Sequence, residues 1–188
     1  MDKNLPRYVI KFEKFLDEKF CNDTIKQFKK ITWKDHLFYN NRVDKRTKRS
    51  GKQELEITNE EVPNKKIIMN KLHSAIGQYM NNLNFKWFNE WAGYSNIRFN
   101  KYTKTKKMAK HCDHIHSLFD GTRKGVPVLS CLGILNDNYT GGEFIMFDDT
   151  EIKLKKGELL IFPSNFLYPH KVEPVTKGTR YSYISWVY

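Results

Sequence analysis

His111 and Asp113 stand two residues apart, with His170 far downstream and Arg180 ten residues beyond it. A His and an acid separated by one residue project from the same face of a strand. Two imidazole nitrogens and one carboxylate oxygen suit ferrous iron, and three such ligands leave half an octahedron open to reactants. A rival grouping, His111, His114 and His116, could be imagined as a zinc cluster. If His111 and Asp113 face inward, however, alternation turns His114 and His116 the other way. Structural zinc usually takes four ligands, commonly cysteines, and Cys21, Cys112 and Cys131 have no metal spacing. Cys112 is expected on the opposite side of the strand from its two neighbours.

With 6 His and 21 acidic residues among 188, a His-x-acid pair arises about 0.7 times by chance, so it needs company. Downstream come Gly141-Gly142-Glu143-Phe144, then Lys156-Gly157-Glu158-Leu159-Leu160-Ile161-Phe162-Pro163, then His170, Gly178, Arg180 and Trp186. This ordered set resembles the 2-oxoglutarate/iron(II) oxygenases, most closely their prolyl 4-hydroxylase-like branch, over roughly residues 95–188. The resemblance implies Fe(II) held by His111, Asp113 and His170, with 2-oxoglutarate and O2 as cosubstrates and ascorbate as an optional reductant. It implies that Arg180 pairs with the distal carboxylate of 2-oxoglutarate, for which a planar guanidinium is suited. His170 and Arg180 are expected on neighbouring strands, holding the two ends of the cosubstrate. Tyr102 matches a tyrosine lining that pocket, and Ser130 aligns with a threonine or serine near it. Ile134 departs from the pattern, because several relatives place a cosubstrate-binding tyrosine there. Trp186 is expected to pack near the site without chemistry.

The implied reaction hydroxylates a C–H bond, most simply of a peptidyl proline, with release of succinate and CO2. A peptide or protein is then the expected partner. Oxidation of a nucleic-acid base is disfavoured because nucleic-acid demethylases of this type carry a further arginine where Trp186 stands. A small metabolite, or a jelly-roll binding module that has lost its metal, are the remaining alternatives.

The elements that must position these residues can be read from periodicity. Residues 8–12 read as a strand, and Asp17 as the N-cap of a helix reaching about Lys30. Residues 33–41 could be a strand leading into the basic stretch 42–52, taken as a mobile loop and candidate lid. Thr58 and Glu61 have capping-box spacing, and Ile68, Leu72, Ile76, Tyr79 and Leu83 recur on one face, predicting a helix to about Leu83. After Trp91 come short segments at 96–102, 109–115, 126–135, 143–147, 151–154, 158–162 and 181–187, separated by turn residues. Frequent short strands favour an α+β, mainly β fold: a two-sheet antiparallel jelly roll with N-terminal supporting helices. The resemblance sharpens this to a double-stranded β-helix whose open end holds the metal.

At 188 residues with 39% hydrophobic content, one core and one domain are expected, residues 1–94 supporting a catalytic core at 95–188. The net charge of +12 is read as a solvated Lys-rich surface able to steer acidic substrates, rather than as a dedicated nucleic-acid site. No run is long enough to cross a bilayer, and three cysteines fit reduced thiols, so a cytoplasmic location without a membrane partner is expected.

Overall fold

Asp17 and Pro63 begin the two α-helices among the described residues. Asp17 accepts from the backbone N–H of Phe20 at 2.7 Å, the N-cap expected for α1 (Glu18–Gln27), which a 3-10 turn extends over Phe28–Lys30. Pro63 opens α2 (Pro63–Leu83), where its missing N–H costs nothing. The computed structural model describes residues 4–40, 45–47, 53–86, 91–113 and 127–188.

The strands, in chain order, are β1 (Ile10–Phe12), β2 (Lys34–Asp35), β3 (Phe38–Asn40), β4 (Lys45–Thr47), β5 (Glu56–Thr58), β6 (Arg98–Tyr102), β7 (Met108–His111) and β8 (Leu129–Ile134). They continue with β9 (Thr140–Gly141), β10 (Phe144–Met146), β11 (Thr150–Glu151), β12 (Leu159–Pro163), β13 (His170–Val172), β14 (Val175–Lys177) and β15 (Arg180–Val187). A seven-stranded sheet runs β1-β12-β8-β15-β6-β5-β2, and a four-stranded sheet runs β11-β10-β13-β7. All of their pairings are antiparallel.

Period-two alternation in the large sheet sorts side chains into two cores. Leu129, Cys131, Leu159, Ile161, Phe99, Tyr183 and Val187 join Ile68, Leu72, Ile76 and Tyr79 of α2 in one cluster. The intervening residues Leu132, Ile134, Leu160, Phe162, Ile184 and Trp186 join Met108, Phe144, Met146 and Val172 of the small sheet in the other. The large sheet is therefore covered by helices on one face and by the small sheet on the other, the jelly-roll arrangement expected. Each fully buried Leu or Ile contributes about 1.5–3 kcal/mol relative to exposure.

Several local expectations need correction. Residues Leu5–Tyr8 form a 3-10 turn begun at Pro6, so the first strand starts only at Ile10. Where one strand was expected over residues 33–41, the described part, to residue 40, holds two, β2 and β3. The capping box does not form: Thr58 lies in β5 and accepts from Glu60 N, the α2 N-cap is Val62, and Glu61 instead pairs with the buried Lys65 at 2.7 Å. Within the stretch proposed as a loop and lid, residues 45–47 are a strand paired with β3. Residues 42–44 and 48–52 lie outside the described residues, as do His114 and His116. No helix among the described residues is long and apolar enough to cross a membrane.

Candidate metal centre

β7 and β13 are paired so that His111 and His170 are directly opposite Cα partners. Asp113 follows two residues after His111, just past the end of β7. Their ligand atoms all lie within 4.8 Å of one another. His111 Nε2 is 3.2 Å, and His170 Nε2 is 3.7 Å, from Asp113 Oδ1. Each imidazole turns its other nitrogen to a backbone carbonyl: His111 Nδ1 to Ala109 O at 2.8 Å and His170 Nδ1 to Tyr168 O at 3.1 Å. A carbonyl only accepts, so Nδ1 is the donor in both and each Nε2 is turned towards Asp113.

Burial pushes the His170 imidazole down to about 4, against the pull of the Asp113 charge. Burial alone would raise the Asp113 carboxyl, but His170, His111 and the Ser130 hydroxyl outweigh it and hold it well below the usual carboxylate range. A neutral imidazole beside an ionised carboxylate is what a divalent cation requires. The donor set, two nitrogens and one oxygen with no thiolate, fits Fe(II).

Arg180 begins β15, opposite Tyr102 in the ladder with β6. It is only 1% exposed. Its Nη1 donates to Ser182 Oγ at 3.1 Å, its Cζ lies 5.0 Å from the Tyr102 ring centroid, and its Nε has no partner. No carboxylate among the described residues is paired with it. A buried guanidinium so poorly matched is costly unless an anion completes it. The site therefore also fits a cosubstrate carboxylate.

Residues 97–188 match the family model for the 2OG-Fe(II) oxygenase superfamily. Over these residues, just under half of the chain, the sequence is similar to that superfamily. Similarity to a PKHD-type hydroxylase of Idiomarina loihiensis is 34% identity over 94 residues, 48% of this chain and 41% of the relative. The chain thus spans about two fifths of the length of that relative, and a PKHD-type hydroxylase of Xylella fastidiosa is covered to a similar 43%. Among solved structures, a prolyl hydroxylase from Trichoplax adhaerens, in complex with a peptide from a hypoxia inducible factor, superposes with a TM-score of 0.71 at 17% identity. That match covers 96% of this chain and 83% of the other. A viral collagen prolyl hydroxylase from Paramecium Bursaria Chlorella virus-1, as its 2OG complex, gives 0.67 at 18% identity, covering 96% and 94%. These likenesses show the double-stranded β-helix fold.

One sequence expectation is revised. His170 and Arg180 are not on neighbouring strands, because β13 lies in the small sheet and β15 in the large one. Tyr102 links them: it lines the cavity with His170, and its ring lies under the Arg180 guanidinium. Ser130 gives its hydroxyl to Asp113 Oδ2 at 2.7 Å and bonds Ser164 Oγ at 2.8 Å.

Tyr102, His111, Asp113, His170 and Trp186 line one small cavity, together with Arg98, Asn100, Leu132, Phe144, Phe162 and Ile184. A larger cavity of about 350 Å³ contains none of the three ligands but reaches Arg180 past the Gly141-Gly142 turn. Burial raises the Tyr102 hydroxyl, opposed by the charges of Arg180 and Arg98. Cys112 turns away to the Phe166 carbonyl at 3.6 Å. Sequence reasoning missed Ser164, Arg98 and Asn100. Alternation back from Tyr102 along its own strand would have found the last two.

Proposed function

We propose that this chain is an Fe(II)- and 2-oxoglutarate-dependent dioxygenase that hydroxylates a peptidyl proline. One observation carries the reading. A His111–Asp113–His170 cluster lines one cavity with Tyr102, and the Tyr102 ring lies beneath a buried guanidinium, Arg180, that has no carboxylate partner among the described residues.

The residues divide the work. His111, His170 and Asp113 would hold the iron, and Ser130 would keep Asp113 oriented. Arg180 would bind the distal carboxylate of 2-oxoglutarate with Tyr102 packed beneath it, since Ile134 has no hydroxyl to help. Bound iron and 2-oxoglutarate supply the oxidising chemistry: with O2 they give succinate, CO2 and one oxygen atom inserted into the substrate C–H bond. Phe144, Phe162, Leu132 and Ile184 wall the cavity with apolar surface and exclude water.

The peptidyl-proline substrate is supported by the PKHD-type and prolyl hydroxylase likenesses and by the absence of a second arginine at Trp186. A peptide partner, use of ascorbate as a reductant and residence in a reducing cytoplasm, in keeping with three free cysteines, belong to the same reading. Anaerobic titration with Fe(II) and 2-oxoglutarate should produce a weak visible charge-transfer band. Aerobic incubation should then add one oxygen to proline-containing peptides and none to single-stranded oligonucleotides. Folded protein without the band would favour a non-catalytic binding module.

A further inference from the structure

The wall of the metal cavity carries a second guanidinium. In the β6–β15 ladder Arg98 is opposite Ile184, just as Tyr102 is opposite Arg180. Residues 98, 100 and 102 share one face of β6, and all three line the cavity with the metal-ligand candidates. Four residues of strand separate the two ends, about 13 Å. Arg180 is buried, whereas Arg98 is half-buried.

Arg98 is held in a defined plane. Its Nε donates to Asn100 Oδ1 at 3.1 Å, and its Cζ lies 5.1 Å from the Trp186 ring centroid. Asn100 is itself only 4% exposed. Trp186 is 7% exposed, and its Nε1–H is buried with no acceptor. A buried indole N–H without an acceptor calls for one. Two donors thus border the cavity together, on a face otherwise built from Leu132 and Ile184.

We propose that Arg98, with the Trp186 indole N–H beside it, receives a carboxylate of the substrate and so determines specificity, at the other end of β6 from Tyr102, the residue paired with Arg180. This rests on the oxygenase reading above. The fixed guanidinium plane suits a carboxylate, because little side-chain freedom remains to be lost on binding. The net charge of +12 would draw in such a substrate. The carboxylate has two possible sources, an acidic side chain beside the target residue of a peptide or the α-carboxylate of a free amino acid.

The test is binding, measured calorimetrically on protein supplied with Mn(II) and 2-oxoglutarate. The probes are two matched pairs: proline peptides differing only by Glu or Gln beside the proline, and free proline against its amide. In at least one pair the carboxylate member should bind the parent at least tenfold more tightly, and the pair that discriminates names the source. Arg98→Gln should reduce the difference below twofold. Arg98→Lys, which keeps the charge without the planar fork, should fall between and serves the same comparison should the first variant not fold. Equal affinity within both pairs, no measurable binding of either carboxylate probe, or full discrimination retained by the variants overturns the proposal. The charge-transfer band is read separately. Its absence with discrimination intact sinks the oxygenase reading and leaves the role of Arg98 standing.

Discussion

Ser130 on β8 donates its hydroxyl to Asp113 Oδ2 at 2.7 Å, although the two residues lie in different parts of the fold. Ser164, just past β12, bonds the same Ser130 oxygen at 2.8 Å. A carboxylate that loses an orienting donor is a poorer metal ligand, and removal of such partners typically costs 10–100-fold in metal affinity. Ser130→Ala should therefore weaken Fe(II) or Mn(II) binding by about that factor, with a smaller change in the 2-oxoglutarate requirement at saturating metal. Metal titration followed by calorimetry checks it, and unchanged affinity would show that the Ser130 hydrogen bond is incidental.

Arg180 makes the corresponding prediction for the cosubstrate. Its guanidinium is buried, meets one neutral hydroxyl and leaves Nε without a partner. Arg180→Ala should raise the 2-oxoglutarate concentration needed for half-maximal turnover by at least tenfold, with metal binding retained. Arg180→Lys should lie between, since a lysine supplies the charge but not the bidentate geometry. Steady-state titration of 2-oxoglutarate at saturating Fe(II) decides. A variant that needed no more cosubstrate than the parent would remove Arg180 from the site.

The three ligands should also be visible in stability. A ligand that binds only the folded state stabilises it by about 2.7 kcal/mol at 100 times its Kd. Mn(II) at that level should raise the melting temperature of the parent. His111→Ala and Asp113→Ala should melt cooperatively yet lose most of this rise, together with all turnover. A metal-induced shift that survives both substitutions would mean the ion binds elsewhere.

How much of this was legible beforehand follows from which interactions are local. The spacing of His111 and Asp113 and the alternation in β8 and β12 are short-range properties, so the ligands and the sandwich of sheets could be read directly. Arg180 was legible as a residue, but the sheet it belongs to was not, because strand pairing joins residues far apart in sequence. The same reason hid the Ser130–Asp113 bond, which needs the β8–β12 pairing that also brings Ser164 close. Thr58 misled because its hydroxyl serves the turn after β5, and Lys65 neutralises the Glu61 that a capping box would have used. Arg98 went unread, although alternation along β6 turns it to the same face as Tyr102.

Two glycines make a contrasting pair that tests how Arg180 is seated. At Gly142, φ is +69° and an added Cβ would lie 3.0 Å from Val175 Cγ2 and 3.1 Å from Arg180 Cδ. Gly142→Ala should therefore lower stability by more than the usual 1 kcal/mol for such a backbone and raise the 2-oxoglutarate requirement by pushing on the arginine. At Gly77, inside α2, nothing lies within 4 Å of an added Cβ. Gly77→Ala should stabilise the protein by about 0.5–1 kcal/mol, the helix-interior cost of glycine, and leave cosubstrate use untouched. Thermal melts and 2-oxoglutarate titrations of both variants check the pair. A Gly142→Ala protein with parental cosubstrate affinity would show that Arg180 can shift without loosening its grip.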